Sequence, residues 1–230
     1  MLTAPRSGLK APGKQPHRAA RSPERPTHAP GTALRTRVID AARRLCFTRG
    51  VEGVSARKIA AEIGCSATAI YLHFDSIEHV LHEIRMEGHG VLVEYLRRPP
   101  ESMHTVERLC AMQRQYHCFG VENPSYFRVM FLSRVDAAQL GRIVVSEGAS
   151  LDVVRSAVAF GVQRGELCGD LDPVVVANVC WMSVHGLTSM VVSGHAAVTA
   201  PGLEIQLLDA VTNATRAWLG RNGNQTRTRR

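Results

Sequence analysis

Residues 55–74, SARKIAAEIGCSATAIYLHF, constrain the fold of this chain more than any other stretch. Ser55 is a good helix N-cap, and Ile59, Ala60 and Ile63 recur behind it at helical spacing. Gly64 ends that helix, because glycine enters the left-handed conformation without a side-chain clash. Two residues later Ser66 caps a second helix, with Ile70 and Phe74 one turn apart on its inner face. Helix, glycine turn, capped helix is the plan of a helix-turn-helix, whose second helix enters the major groove of DNA.

The flanks predict more helices and no strands. Six of the eleven prolines fall in residues 1–31, which leaves the body poor in helix breakers. An amphipathic helix is expected over 33–49, stopped by Gly50. After Asp75-Ser76 a long helix runs to about Arg97, where Pro99-Pro100 end it. A fifth spans 102–120, and Asn123-Pro124, a cap followed by proline at the first helical position, opens a short sixth through Phe131. A seventh covers 137–164 with a break near Gly148, Asp172-Pro173 opens an eighth to Val192, and a ninth spans 202–219. The expected fold is all-α with about nine helices. Residues 32–92 are expected to form the helix-turn-helix domain and 93–220 a second helical domain, which the resemblance given below makes a ligand-binding and dimerisation domain.

The net charge of +8 lies at the ends. Residues 1–31 carry +5 and 221–230 carry +4, so the body is close to neutral. Both ends are expected to be disordered basic arms, either making sequence-independent phosphate contacts or simply solvated. The six cysteines form no C-x-x-C pair and no apolar signal segment precedes them, which predicts reduced thiols in a cytoplasmic protein. Residues 173–194 lack Asp, Glu, Lys and Arg and are long enough to cross a bilayer. The polar Asn178, Ser183, His185, Thr188 and Ser189 interrupt that stretch, so a buried or subunit-interface helix is expected instead of a membrane span.

The pieces AARRLCFTRG (41–50), SARKIA (55–60) and GCSATAIYLHF (64–74) resemble the N-terminal domain of the TetR family of bacterial transcription regulators. ENPSYFRVMF (122–131) and WMSVHGLTSM (181–190) resemble a ligand-binding subclass named for its Trp and His-Gly, the WHG type. Cys46 and Cys65 stand where the family usually has phenylalanine and valine, and Ile77 replaces a lysine that commonly grips a phosphate. With Ile70 and Phe74 turned inward, Ala67, Thr68, Ala69, Tyr71 and His73 take outward or edge positions beside Ser66. Thr68 can hydrogen-bond a base edge, and the Ala67 and Ala69 methyls can touch thymine methyls. The helix carries no Arg, Asn or Gln for bidentate readout, so DNA shape is expected to supply much of the specificity. The resemblance implies phosphate contacts from Tyr71, His73, Ser55 and Arg57.

It also implies a homodimer built from the helices near 173–193 and 203–219, a palindromic double-stranded operator and a small-molecule effector. Gln113, Tyr116, Phe127, Trp181 and His185 interrupt apolar faces and are the candidate effector residues, with core packing as the alternative for each. The expected function is a repressor released from its operator by a lipophilic effector; an architectural DNA-binding protein is the competing reading. No nucleophile elbow, phosphate loop or close acid pair points to an enzyme, and no cofactor is expected. His79, His82 and Glu83 have metal-ligand chemistry but lie on a solvated helix face, and Cys110, Cys118 and Cys180 are read as inert thiols ahead of a redox switch.

Overall fold

The computed structural model of the chain describes residues 30–133, 140–195, 198 and 200–224. Among these, nine α-helices and no strand are present: α1 Pro30–Arg49, α2 Ala56–Ile63, α3 Ala67–Tyr71, α4 Ile77–Arg97, α5 Thr105–Glu122, α6 Pro124–Phe127, α7 Leu140–Gln163, α8 Pro173–Val192 and α9 Leu203–Asn224. The expected arms lie mostly outside the described residues. α1 takes in Pro30 and Gly31, and α9 takes in 221–224.

Local chemistry sets most of these ends. Ser76 Oγ accepts from His79 N and starts α4, and Asp172 accepts from Val174 N with Pro173 at the first position of α8. Three expectations are corrected. α7 passes through Gly148 without a break. The expected short helix to Phe131 is α-helical only to Phe127 and continues as a π-helical segment, Arg128–Leu132. Asn123 does not cap it with its side chain; the amide nitrogen donates instead to the Tyr95 hydroxyl and the Phe119 carbonyl, both at 3.2 Å.

The first three helices close a small core over α4, built from Val38, Ala41, Ala42, Ile59, Ile70 and Phe74. Farther along, α4 packs against α5 and α7, and α8 and α9 lie against α5. One contiguous set of buried apolar residues therefore runs from α1 to α9. By length and composition α8 is apolar enough to cross a membrane, but Val176, Ala177, Cys180, Val184 and Val192 are buried within the protein. Helices approach most closely where a side chain is missing. A Cβ on Gly120 would stand 2.3 Å from Thr188 Cγ2, so glycine is what lets α5 and α8 meet there.

Candidate nucleic-acid interface and the enclosed cavity

The helix pair forms as its caps require. Ser55 Oγ accepts from Lys58 N at 3.3 Å, Gly64 turns left-handed at φ 68°, and Ser66 Oγ accepts from Ala69 N at 3.1 Å. α3 ends at Tyr71, yet Phe74 N still reaches the Ile70 carbonyl at 3.1 Å, which brings Phe74 under Ile70 in the core. Thr68 and Tyr71 stand exposed on the outer side with Arg57 nearby on α2, while Ala69 and His73 are half-buried. Ala67 packs partly against the core, which leaves less of its methyl for a ligand than a free edge position would. Ile77 also packs inward, so the residue in the usual lysine position serves the core. Leu72 was not singled out from the sequence, although at 78% exposure it is the most exposed large apolar side chain beside this helix.

Inside the second half, α4, α5, α7, α8 and the π-helical segment line a partly open cavity of about 40 Å³. Leu92, Leu96, Leu109, Met112, Val154 and Val184 supply much of its apolar wall. Gln113, Tyr116 and Trp181, three of the five candidates, line it. Gln113 Nε2 lies 2.9–3.0 Å from Cys180 O, Ser183 Oγ and Thr215 Oγ1, three acceptors for its two hydrogens. Its Oε1 is buried with no partner, an open acceptor at the cavity wall. His185 and Phe127 stand one layer behind. The imidazole meets the Tyr116 hydroxyl at 2.7 Å through Nδ1 and Ser189 Oγ at 3.2 Å through Nε2, and stacks on Phe127 with centroids 5.5 Å apart. Trp181 Nε1 donates to the same Tyr116 hydroxyl at 3.2 Å. Burial lowers the His185 pKa, so the ring is neutral and orients Tyr116.

Two polar residues of the lining, His89 and Ser150, lay outside the sequence candidates. His89 of α4 meets Ser150 Oγ of α7 at 3.1 Å, and burial, helped by the charge on His82, pushes its pKa down to about 4. A histidine on a helix with polar neighbours reads as surface until the partner helix, 61 positions later, is in place.

Residues 38–84 match the family described as bacterial regulatory proteins of the tetR family, and residues 109–218 match the tetracyclin repressor-like C-terminal domain. The chain belongs to the TetR family. No curated protein sequence matches it. Similar solved structures include a protein of unknown function from Rhodococcus sp. RHA1, at 24% identity and TM-score 0.68 over 85% of this chain and 99% of that one. A tetR-family regulatory protein from Rhodococcus RHA1 has 19% identity and TM-score 0.57, covering 82% and 97%. FadR from Bacillus subtilis, solved in complex with stearoyl-CoA, has 20% identity and TM-score 0.63, covering 78% and 96%.

In this TetR-family chain the two halves are joined by more than the continuous α4. The Phe47 ring of α1 meets Tyr126 of α6 edge-on at 4.9 Å, and Arg43 Nε of α1 donates to Glu87 of α4 at 2.8 Å. Arg85 of α4 is 1% exposed; its Nε donates to the Val129 carbonyl of the π-helical segment at 3.1 Å, and its Nη1 pairs with Glu78. The same segment supplies Phe131 to the cavity wall.

The remaining candidates are occupied otherwise. Glu83 holds Arg35 at 2.6 Å and His79 lies edge-on to Phe74, so both serve the packing of α4 on the first three helices. Burial raises the pKa of Cys110, Cys118 and Cys180, the last to about 12, which keeps these thiols protonated and poorly nucleophilic.

Proposed function

We propose that this TetR-family regulator is a homodimeric, non-enzymatic repressor of the bacterial cytoplasm, released from a palindromic operator when a small molecule with an apolar body enters the α4–α8 cavity. The observation that carries this reading is α4 itself. Its first turns pack on α1 and on Phe74 at the end of the helix pair, and its last turns present His89, Leu92 and Leu96 to the cavity. A body lodged there moves the same helix that holds the reading head.

The open Gln113 Oε1 favours a ligand-responsive regulator over an architectural protein, because a buried acceptor is seldom left unpaired. At about 40 Å³ the chamber holds little more than a water or two, whereas ligand pockets span roughly 300–1,000 Å³. Ligand entry therefore has to push helices apart. The stearoyl-CoA carried by Bacillus subtilis FadR supports a long acyl chain as the kind of body this fold admits.

Tyr71, Thr68, His73 and Arg57 are the proposed DNA contacts, with Ser55 and Ser66 capping and contacting phosphate together, and Ala67 and Ala69 allowing close approach. For the dimer, Val174, Val175 and Met182 on α8 and Ile205 on α9 are exposed apolar side chains suited to a four-helix interface. The test is selection from random duplex DNA with the purified full chain. The expected product is a palindrome whose binding weakens steeply with salt and falls at least tenfold in Tyr71→Ala. Recovery of no common sequence would remove the proposal.

A further inference from the structure

A second concavity, a groove of about 590 Å³, opens on the outer side of α4, α5 and α7. Arg97 comes from the end of α4, Glu101 from the α4–α5 link, Arg108 from α5, and Asp152 and Phe160 from α7. Arg108 is unusual. It is 7% exposed, its one side-chain partner is Glu101 Oε1 at a long 3.4 Å, and its buried Nε has no partner. A guanidinium has five donors in a planar fork and keeps its charge, so burying it with one long contact leaves it short of acceptors. The carboxylates present do not supply them. Glu101 is 83% exposed, and Asp152 is engaged by Arg155 at 2.8 Å.

The groove and the inner cavity share one wall. Leu96, Leu109 and Val154 line the cavity, and their chain neighbours Arg97, Arg108 and Val153 line the groove. A chain passing between these helices into the cavity leaves its outer end beside two guanidiniums. We propose that the Arg97–Arg108 groove is an oxyanion subsite, holding the carboxylate or phosphate head of an amphipathic effector whose apolar chain fills the inner cavity. This rests on the reading of that cavity as the effector chamber. The two guanidiniums of the groove can each offer charge-assisted hydrogen bonds to either oxyanion, and the exposed Glu101 is the group displaced.

The test titrates the full-length protein, by tryptophan fluorescence, with dodecanoate, dodecanoyl-coenzyme A and 1-dodecanol. Arg97→Ala and Arg108→Met are expected to weaken the anions at least tenfold and to change 1-dodecanol less than twofold. Glu101→Gln is expected to tighten the anions about threefold. Weakening confined to dodecanoyl-coenzyme A assigns the subsite to phosphate, and weakening confined to dodecanoate assigns it to carboxylate. Native affinity for both anions in the arginine variants overturns the subsite, as does the absence of anion binding by the native protein. Should Arg108→Met fail to fold, the exposed Arg97→Ala and Glu101→Gln carry the same decision. Filling the chamber with Val154→Phe separates the two claims: 1-dodecanol binding that survives it refutes the chamber, not the head-group site.

Discussion

His89 Nδ1 and Ser150 Oγ link α4 and α7 across the cavity wall at 3.1 Å, a hydrogen bond that the neutral ring makes as donor or acceptor according to its tautomer. The pKa of His89 is pushed from 6.5 to about 4, first by burial and then by the charge on His82. The unfolded chain therefore takes up a proton between those values that the folded chain refuses, so this contribution is intact above pH 6.5 and is lost as pH falls toward 4. Between pH 7.5 and 5.0 the loss amounts to about 2 kcal/mol. Urea unfolding at the two pH values should show His89→Gln losing correspondingly less than the native chain. Equal losses would mean the imidazole titrates normally. Glu107 and Glu166, whose pKa values are lowered by hydrogen bonds from Arg216 and Thr105, act below their ordinary 4.5 and outside this window.

Helix by helix, legibility followed the range of the interactions. The caps at Ser55, Ser66, Ser76 and Asp172 act on amides two or three residues away, so their helices were readable from adjacent letters. The inward faces of Val80, Leu81 and Ile84 were readable for the same reason. The π-helical turn at Arg128–Leu132 was not, because its Val129 carbonyl accepts both from nearby Ser133 Oγ and from Arg85 Nε, 44 positions earlier, and the second donor is not visible in the adjacent letters. Arg108, His89 and Ser150 became site residues only through helices brought together from far along the chain. Gly148 misled in the opposite direction, since α7 tolerates it mid-helix at a cost of about 1 kcal/mol.

That π-helical segment, with α6 before it, is the element placed to carry displacement from Phe131 at the cavity to Phe47 of α1 through Tyr126. Phe47 is 37% exposed, so truncating it costs little of the fold, on the order of 1 kcal/mol. Phe47→Ala is expected to bind operator within a few-fold of native and to bind ligand normally, while ligand-driven release falls at least fivefold. Release at the native level would assign the coupling to α4 alone. The size of the change is a coupling free energy, commonly 1–3 kcal/mol in allosteric proteins.

At the scale of the whole molecule, one reading head of five helical residues without a bidentate base reader is too sparse to select a site. Two copies related by a two-fold axis give the recognition helices a fixed separation, about 34–36 Å for half-sites one helical turn apart, or a longer multiple. On the proposed dimeric reading, occupancy of the two chambers acts on DNA affinity by changing that separation. Operator affinity measured with and without saturating dodecanoyl-coenzyme A, in native protein and in Val154→Phe, tests this most directly. The native complex should weaken at least tenfold on ligand addition, and Val154→Phe should hold the operator within threefold of native and ignore the ligand. A native complex unchanged by bound ligand, or a filled chamber that still releases DNA on ligand addition, would contradict it.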